Sequence, residues 1–373
     1  MRHMIPEEAH PEPDGRLLKG QDQRPEGQEQ EEQERNKRKG TKRKGRNDME
    51  IGVFSRTYET GDLRDTFQRM RRDGIRHTQF NFSNAGLPTL PEELEERDIV
   101  RIRETAEEFG ITIDAVTGTF NMIDPDEDAR ARGCAQFRVQ CRAAGALGIP
   151  VVSLCTGSKN RESKWKWHDD NLLDSSWDDL MRSTEIVLRH AEDNGIILGV
   201  ETEASNIINT PARARRYLDT VGSPNLKIIM DGANLFRPAE IPEMDRILKE
   251  AFGILGKDIV LAHAKDLAYA APPAGAGSMA AGSMAGAGSA AAGSMAGAGS
   301  MAGAGSAGAG DKAGKDASSL PGQLDFVAAG RGALDFPLYV RLLKESGYRG
   351  ALIMHGLSET QIPESLAFLK DLV

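Results

Sequence analysis

The strongest constraint in this sequence is an alternation: between residues 49 and 373, a short apolar run is followed by an amphipathic stretch eight times. Strand–helix alternation of this kind is typical of a parallel sheet. Eight units in about 325 residues, less an insert of roughly 50, match the ~250 residues of a closed (β/α)8 barrel. The apolar runs are IGVFS (51–55), HTQFNF (77–82), ITIDAV (111–116), PVVSLC (150–155), IILGVE (196–201), LKIIMD (226–231), DIVLAHAKD (258–266) and ALIMH (351–355).

The first turn argues against the alternative, a doubly wound open sheet. Such a sheet would have fewer units and usually a Gly-rich first turn, whereas SRTYETGD (55–62) contains no GxGxxG motif. We therefore predict the α/β class and a single (β/α)8 TIM barrel. Its helices are predicted to begin at Asp62 and to cover residues 91–110, 129–147, 177–194, 211–221, 242–255, 336–346 and 362–372.

Two segments do not fit the alternation. Residues 1–48 are rich in Gln, Glu, Arg, Lys, Gly and Pro, and such a composition cannot bury enough apolar surface to fold. Residues 270–320 repeat GAGSMA-like units, and dense Gly and Ser are typical of a flexible linker. We predict a disordered charged tail over 1–48 and a barrel over 49–373, with the Gly/Ala/Ser/Met-rich insert after its seventh strand.

The overall composition argues against several classes of function. The formal net charge is -9, whereas domains that bind nucleic acid usually present a basic face. No apolar run approaches the ~18 residues of a membrane span, and the N-terminal MRHMIPEEAHPEPDG lacks the apolar region of a secretory signal. Three cysteines without metal-type spacing favour a reduced, cytoplasmic setting. The composition leaves the oligomeric state open, and a homo-oligomer is compatible with it.

Polar residues at the ends of four consecutive strands are the candidates for a metal centre. In such a barrel the active site lies at the C-terminal ends of the strands, where Glu201, Asp231, His263 and His355 end strands five to eight. Two carboxylates and two imidazoles form a mixed oxygen and nitrogen ligand set, which suits Mn, Fe, Co or Zn better than Mg. A single carboxylate at a strand end is often only a helix cap, so the prediction depends on the convergence of all four residues.

Further candidates surround this group. Lys265 has the parity of His263 along the seventh strand, so both are expected to point to the same face. There Lys265 either holds a substrate oxygen or pairs with an acidic residue. His77 starts the second strand, which is the wrong end for catalysis, and it is predicted to be structural. The residues expected to bind substrate are Asn121, His168, Asn171 and Glu203.

Seven segments, in this order and spacing, resemble the sugar phosphate isomerase/epimerase group of the xylose isomerase-like TIM barrel superfamily. The resemblance covers about residues 49–373 without the insert, and it is specific for the superfamily rather than for a substrate. The segments are GTFNMIDPD (118–126), VVSLCTGSKN (151–160), WKWHDDN (165–171), LGVETEASN (198–206), IIMDGANLF (228–236), LAHAKD (261–266) and VAAGRGALDF (327–336).

The resemblance implies one divalent metal ion held by residues that follow strands five to eight. Glu201, Asp231 and His263 match the first three positions of that pattern. The fourth departs from it, because ALIMHGL places His355 where the family has a glutamate. An imidazole can both bind a metal and move protons near pH 7. The chain therefore departs from the two-glutamate mechanism of the epimerases and leaves single-base isomerisation or dehydration open.

These features predict a metal-dependent isomerase or epimerase of a small sugar, sugar phosphate or polyol-ketone. The metal, one Mn, Co, Zn or Mg ion, would acidify the C–H beside a carbonyl and stabilise the enediolate. Glu201 would move the carbon-bound proton, and Lys265 or His355 would handle the proton on oxygen.

Three alternatives are open: a dehydratase on the same scaffold, a barrel that binds without catalysis, and an abasic-site DNA endonuclease. The endonuclease is the least favoured, because the resemblance implies a three-zinc cluster with many histidine ligands for that class. Here the suitably placed imidazoles are His168, His263 and His355, and the acidic charge balance also disfavours DNA.

Overall fold

The computed structural model of the chain describes residues 49–236, 238–269 and 324–373. The predicted tail over 1–48 and the predicted insert over 270–320 lie outside the described residues.

The described residues contain ten strands, and eight of them close into a parallel barrel. The strands are β1 (Ile51–Phe54), β2 (His77–Phe80), β3 (Thr112–Thr117), β4 (Val151–Leu154), β5 (Ile197–Glu201), β6 (Leu226–Asp231), β7 (Ile259–Ala264), β8 (Asp266–Tyr269), β9 (Leu324–Val327) and β10 (Leu352–Met354). Around the barrel the order is β1-β10-β7-β6-β5-β4-β3-β2, while β8 and β9 form a separate antiparallel pair. The predicted fold class is confirmed.

Each barrel strand is followed by a helix, as the sequence predicts. The helices are α1 (Leu63–Arg72), α2 (Glu96–Phe109), α3 (Glu127–Leu147), α4 (Asp174–Asp193), α5 (Pro211–Val221), α6 (Met244–Leu255), α7 (Phe336–Glu345) and α8 (Ile362–Lys370). The predicted start of α2 is wrong by five residues, because the backbone is still extended at Glu95. The other predicted boundaries agree within three residues. Among the helices described, none is long and apolar enough to cross a membrane.

Local side-chain chemistry explains where several helices begin. The Asp62 carboxylate accepts a hydrogen bond of 2.9 Å from the backbone N–H of Asp65, and the Thr210 hydroxyl accepts one from Arg213 at the start of α5. Such caps satisfy N–H groups that have no partner inside the helix. Pro211 follows its cap directly, where a missing N–H costs nothing.

Two apolar layers hold the barrel together. An outer layer packs between strands and helices and includes the fully buried Phe67, Tyr217 and Tyr339. An inner layer fills the barrel with side chains of Ala115, Val151, Ile229, Leu261, Ala351 and Ile353. Because side chains alternate across a strand, the residue two positions after an inner-layer residue also faces the barrel interior.

The predicted seventh strand is divided, which the alternation did not predict. β7 ends at Ala264 and β8 begins at Asp266, and β8 pairs with β9 from the far side of residues 270–323. The Asp266 carboxylate accepts hydrogen bonds of 2.8 to 3.1 Å from four backbone N–H groups, those of Leu267, Gly330, Gly332 and Leu334. A side chain on Gly332 would meet that carboxylate at 2.3 Å. Asp266 therefore anchors the chain that returns after residue 323 to the end of β7.

Candidate active site

Glu201, Asp231 and His263 come from adjacent strands, and their side chains meet at the C-terminal end of the barrel. Nδ1 of His263 lies 3.6 Å from Oε1 of Glu201 and 3.5 Å from Oδ2 of Asp231. One candidate ligand atom from each residue lies within 4.8 Å of the others. Asp231 and His263 are also direct neighbours in the register of β6 and β7. The structure thus brings together three of the predicted metal ligands.

Strand parity explains this convergence. Asp231 and His263 each stand two residues after an inner-layer residue, Ile229 and Leu261 respectively. Both side chains therefore face the barrel interior, just beyond the apolar layer. Their side chains are fully buried, whereas 15% of the Glu201 side chain is exposed. Glu201 is consequently the member of the group that a molecule entering from the barrel mouth can reach.

The charges of the group hold one another in their ionised forms. Burial alone would raise the pKa of Asp231, but the ammonium of Lys265 and the imidazole of His263 outweigh it and hold that pKa well below its usual range. Burial would likewise lower the pKa of His263, but the carboxylates of Glu201 and Asp231 raise it to about 9. The site therefore stabilises positive charge strongly at the position of the His263 ring.

The donor atoms fit a divalent cation. Oδ2 of Asp231 and Nδ1 of His263 are buried and make no hydrogen bond with any described residue. Buried polar atoms are nearly always hydrogen-bonded, so two such atoms 3.5 Å apart and next to a third ligand require an explanation. Two carboxylates and one imidazole are ligands for Mn, Fe, Co or Zn. The residues present therefore suit the predicted metal ion.

Lys265 and Asn234 extend the group on the β6 and β7 side. Lys265 lies just beyond β7, is 3% exposed, and places Nζ 3.3 Å from Oδ2 of Asp231. Its Nζ also donates to Oδ1 of Asn234, whose Nδ2 donates to Oε1 of Glu201. Burial would lower the pKa of Lys265, but Asp231 outweighs it and raises that pKa, so the ammonium stays charged. Asn234 thus links Lys265 to Glu201.

The sequence reasoning missed Asn234 and Gln79. Asn234 stands three residues after Asp231 in a short 3-10 turn, and its signal was the polar residue in DGAN directly after a strand end. Gln79 lies in β2, where an amide inside an otherwise apolar run was the signal. Its Oε1 lies 2.8 Å from Nε2 of His263. Both amides contact predicted ligands directly.

His355, the fourth predicted ligand, lies beside the group rather than within it. Its ring stacks on the His263 ring at a centroid distance of 5.0 Å and an angle of 5°, and it also stacks on Phe54 at a centroid distance of 5.0 Å and an angle of 28°. Nδ1 of His355 is buried and has no hydrogen-bond partner among the described residues. Burial, the charge on His263 and that on Lys265 lower its pKa well below the ordinary value. His355 is therefore neutral, and its roles as ligand and as acid–base group stay predictions.

Glu203 lies close enough to the group to share its electrostatics. Burial raises the pKa of Glu203 to about 7, which the repulsion of Glu201 and Asp231 reinforces and Lys265 opposes. Its Oε1 accepts a hydrogen bond of 3.3 Å from the hydroxyl of Ser205. A carboxyl group of this kind can either donate or accept a hydrogen bond near neutral pH. Its role toward substrate stays a prediction.

The three loop residues predicted to bind substrate make hydrogen bonds with other loop residues. Asn121 donates to the carbonyl of Ser158 at 2.8 Å and accepts from the N–H of Ser158 at 3.0 Å. Asn171 is fully buried and accepts from the N–H of Lys159 at 2.7 Å. His168 is 43% exposed and accepts from the N–H of Asp170. These side chains shape the loops around the barrel mouth, and their binding of substrate stays a prediction.

Comparison with known families defines the class of this barrel. Residues 67–372 match the model of the xylose isomerase-like TIM barrel. Because this match covers most of the chain, the protein belongs to that family. The resemblance to the superfamily read from the seven sequence segments is confirmed.

Solved structures share the fold at low sequence identity. A xylose isomerase domain protein from Planctomyces limnophilus has a TM-score of 0.58 and 18% identity, over 87% of this chain and 96% of that one. 3-keto-D-glucoside 4-epimerase from E. coli has a TM-score of 0.57 and 15% identity, over 87% of this chain and 100% of that one. D-allulose 3-epimerase from Methylomonas sp., in complex with D-allulose, has a TM-score of 0.56 and 13% identity, over 87% of this chain and 97% of that one. No curated protein matches the sequence significantly.

Proposed function

We propose that the protein is a metal-dependent isomerase or epimerase of a small sugar, sugar phosphate or polyol-ketone. The observation that carries this proposal is the group of Glu201, Asp231 and His263, with its unpartnered buried donor atoms at the C-terminal end of the barrel. That end is where barrels of this type have their active sites. Two of the structural neighbours named above are sugar epimerases, which supports the same class of reaction.

The residues of the group would divide the chemistry between them. Glu201, Asp231 and His263 would hold the metal, which when bound supplies Lewis-acid polarisation of the substrate carbonyl. Glu201 is partly exposed, and Asn234 orients its carboxylate through Oε1. That carboxylate is placed to remove and return the proton on the carbon beside the carbonyl, so that the reaction passes through an enediolate. Lys265 adds a buried positive charge where negative charge develops on oxygen.

An isotope-exchange experiment tests this proposal. The protein, supplied with Mn²⁺ in D₂O, is incubated with D-fructose, D-allulose, D-tagatose and a 3-keto-glucoside, and deuterium uptake beside the carbonyl is followed by NMR. We expect uptake with at least one of them. Glu201→Gln should slow it by at least ~100-fold, because a general base contributes about that much or more.

The control for this experiment is Asp114→Asn, which removes a carboxylate at the opposite end of the barrel and should leave uptake unchanged. Loss of water instead of exchange would identify the dehydratase alternative. Binding of a sugar without exchange would identify the non-catalytic barrel. Unchanged uptake in Glu201→Gln would contradict the assignment of Glu201.

A further inference from the structure

A hydrogen-bond relay crosses the barrel interior behind His263. Oε1 of Gln79 in β2 lies 2.8 Å from Nε2 of His263 in β7. Nε2 of the same amide donates to the hydroxyls of Thr117 in β3, at 3.3 Å, and of Ser153 in β4, at 3.4 Å. All four side chains are buried, with exposures between 0% and 5%. The relay therefore spans four strands and is almost entirely shielded from solvent.

The Gln79 amide meets His263 with its oxygen. Its nitrogen donates to the two hydroxyls on the other side, and its oxygen is directed at the imidazole. A carbonyl oxygen can only accept a hydrogen bond, and Nε2 of His263 must therefore carry a proton. When the ring is neutral, its lone pair is on Nδ1, which faces Glu201 and Asp231 at 3.6 and 3.5 Å.

We infer that Gln79 is a positioning residue that prepares His263 for metal binding by fixing the Nε2–H tautomer. A histidine ligand usually donates its second ring N–H to a partner that fixes its tautomer and orientation, and loss of that partner typically weakens metal affinity about 10- to 100-fold. If the amide were reversed, Nδ1 would carry the proton and point it at the two carboxylates. That tautomer cannot bind a metal through Nδ1. This inference rests on the proposed metal centre.

Two variants of matched length separate hydrogen bonding from packing. Gln79→Met fills a similar volume but lacks a strong acceptor, and we expect it to weaken the Zn²⁺ affinity of the full chain about 10- to 100-fold. Gln79→Glu retains an acceptor for Nε2–H, and we expect affinity equal to or above that of the wild type. Isothermal titration with Zn²⁺ at neutral pH measures all three proteins.

A spectroscopic readout identifies the tautomer itself. In the zinc form of the protein labelled with ¹⁵N-histidine, the Nε2–H resonance of His263 should be visible and protected from exchange in the wild type and in Gln79→Glu. In Gln79→Met it should move upfield and exchange faster. A double variant, Thr117→Val with Ser153→Ala, retains Gln79 but releases the amide, and it should weaken Zn²⁺ binding several-fold even if Gln79→Met does not fold.

The outcomes separate failure of this inference from failure of the metal centre. Wild-type affinity in Gln79→Met with an unchanged resonance, or in the double variant, overturns the role of Gln79 alone. An equal loss of Zn²⁺ affinity in Gln79→Met and Gln79→Glu would show that Gln79 acts by packing, and it would also overturn the positioning role of Gln79. A wild-type protein that binds neither Zn²⁺ nor Mn²⁺ overturns the metal centre and the inference together.

Discussion

The barrel carries an imidazole beside a carboxylate at each end, and the two arrangements differ in how completely they are paired. At the N-terminal end of the strands, Nδ1 of His77 lies 3.0 and 3.1 Å from the two carboxylate oxygens of Asp114. The side chains are 22% and 19% exposed, so water also reaches them. The pair is complete in itself, in agreement with the structural role predicted for His77.

At the C-terminal end, Asp231 and His263 are fully buried and incompletely paired. Oδ2 of Asp231 and Nδ1 of His263 have no hydrogen-bond partner among the described residues. Leaving a buried polar atom unpaired costs about 1–3 kcal/mol, and more for a charged group. The same two residue types therefore form a hydrogen-bonded pair at one end and, at the other, an arrangement in which one atom of each residue makes no hydrogen bond with the described residues. Pairing, rather than residue type, distinguishes the two.

The largest expected effect tests this difference directly. Asp231→Asn removes a ligand charge, and we expect Zn²⁺ or Mn²⁺ affinity to fall by more than the roughly 100-fold upper range for outer-shell partners. Asp114→Asn is the matched change at the other end. It should leave the metal affinity within about twofold of the wild-type value, because no proposed metal ligand changes. Titration calorimetry measures both. Equal losses in the two variants would show that the difference between the ends is not one of metal binding.

A smaller effect is expected at His355, which lies beside the group. Because three ligand atoms cluster without it, His355→Ala should change metal affinity less than tenfold while slowing deuterium exchange about 100-fold, as for loss of an acid–base group. Metal content and exchange rate are measured on the same samples. A large loss of affinity, partly restored by excess metal, would make His355 a ligand. Full metal content with full turnover would reduce it to packing.

The smallest expected effect concerns the pH dependence of the N-terminal pair. The hydrogen bond that the His77 ring donates to the Asp114 carboxylate raises the pKa of His77 above its ordinary value of 6.5. Since the folded pKa exceeds the unfolded one, the pair contributes stability that is fully present below about pH 6.5 and is lost as pH rises through the raised pKa. We expect His77→Asn to cost up to about 1 kcal/mol at low pH and less at high pH.

Denaturant unfolding of the metal-free wild type and of His77→Asn at about pH 5.5 and 8.5 measures this contribution. The titration of His263 occurs in both proteins and cancels in the difference between them. A cost that grows with pH would contradict the assignment of the pair.

Local sequence information was sufficient for most of the fold. Eight apolar runs, each followed by an amphipathic stretch, predict the barrel, because side-chain periodicity is set by the backbone geometry of strands and helices. Caps such as Asp62 and Thr210 mark helix starts through bonds within one turn. The division at Lys265 and the pairing of β8 with β9 were not predictable in this way, since the paired segments are separated by more than 50 residues.

The candidate site likewise has a part that local sequence predicts and a part that depends on contacts between distant residues. The sequence alone determined that Glu201, Asp231 and His263 end consecutive strands, and parallel strands bring such residues to one end of a barrel. Only the tertiary structure decided that the His355 ring stacks on His263, that Asn234 links Lys265 to Glu201, and that Gln79 reaches His263 across the barrel. The physical reason is that strand ends follow from local periodicity, whereas the direction of a hydrogen bond depends on partners that are distant in sequence and meet only when the barrel closes.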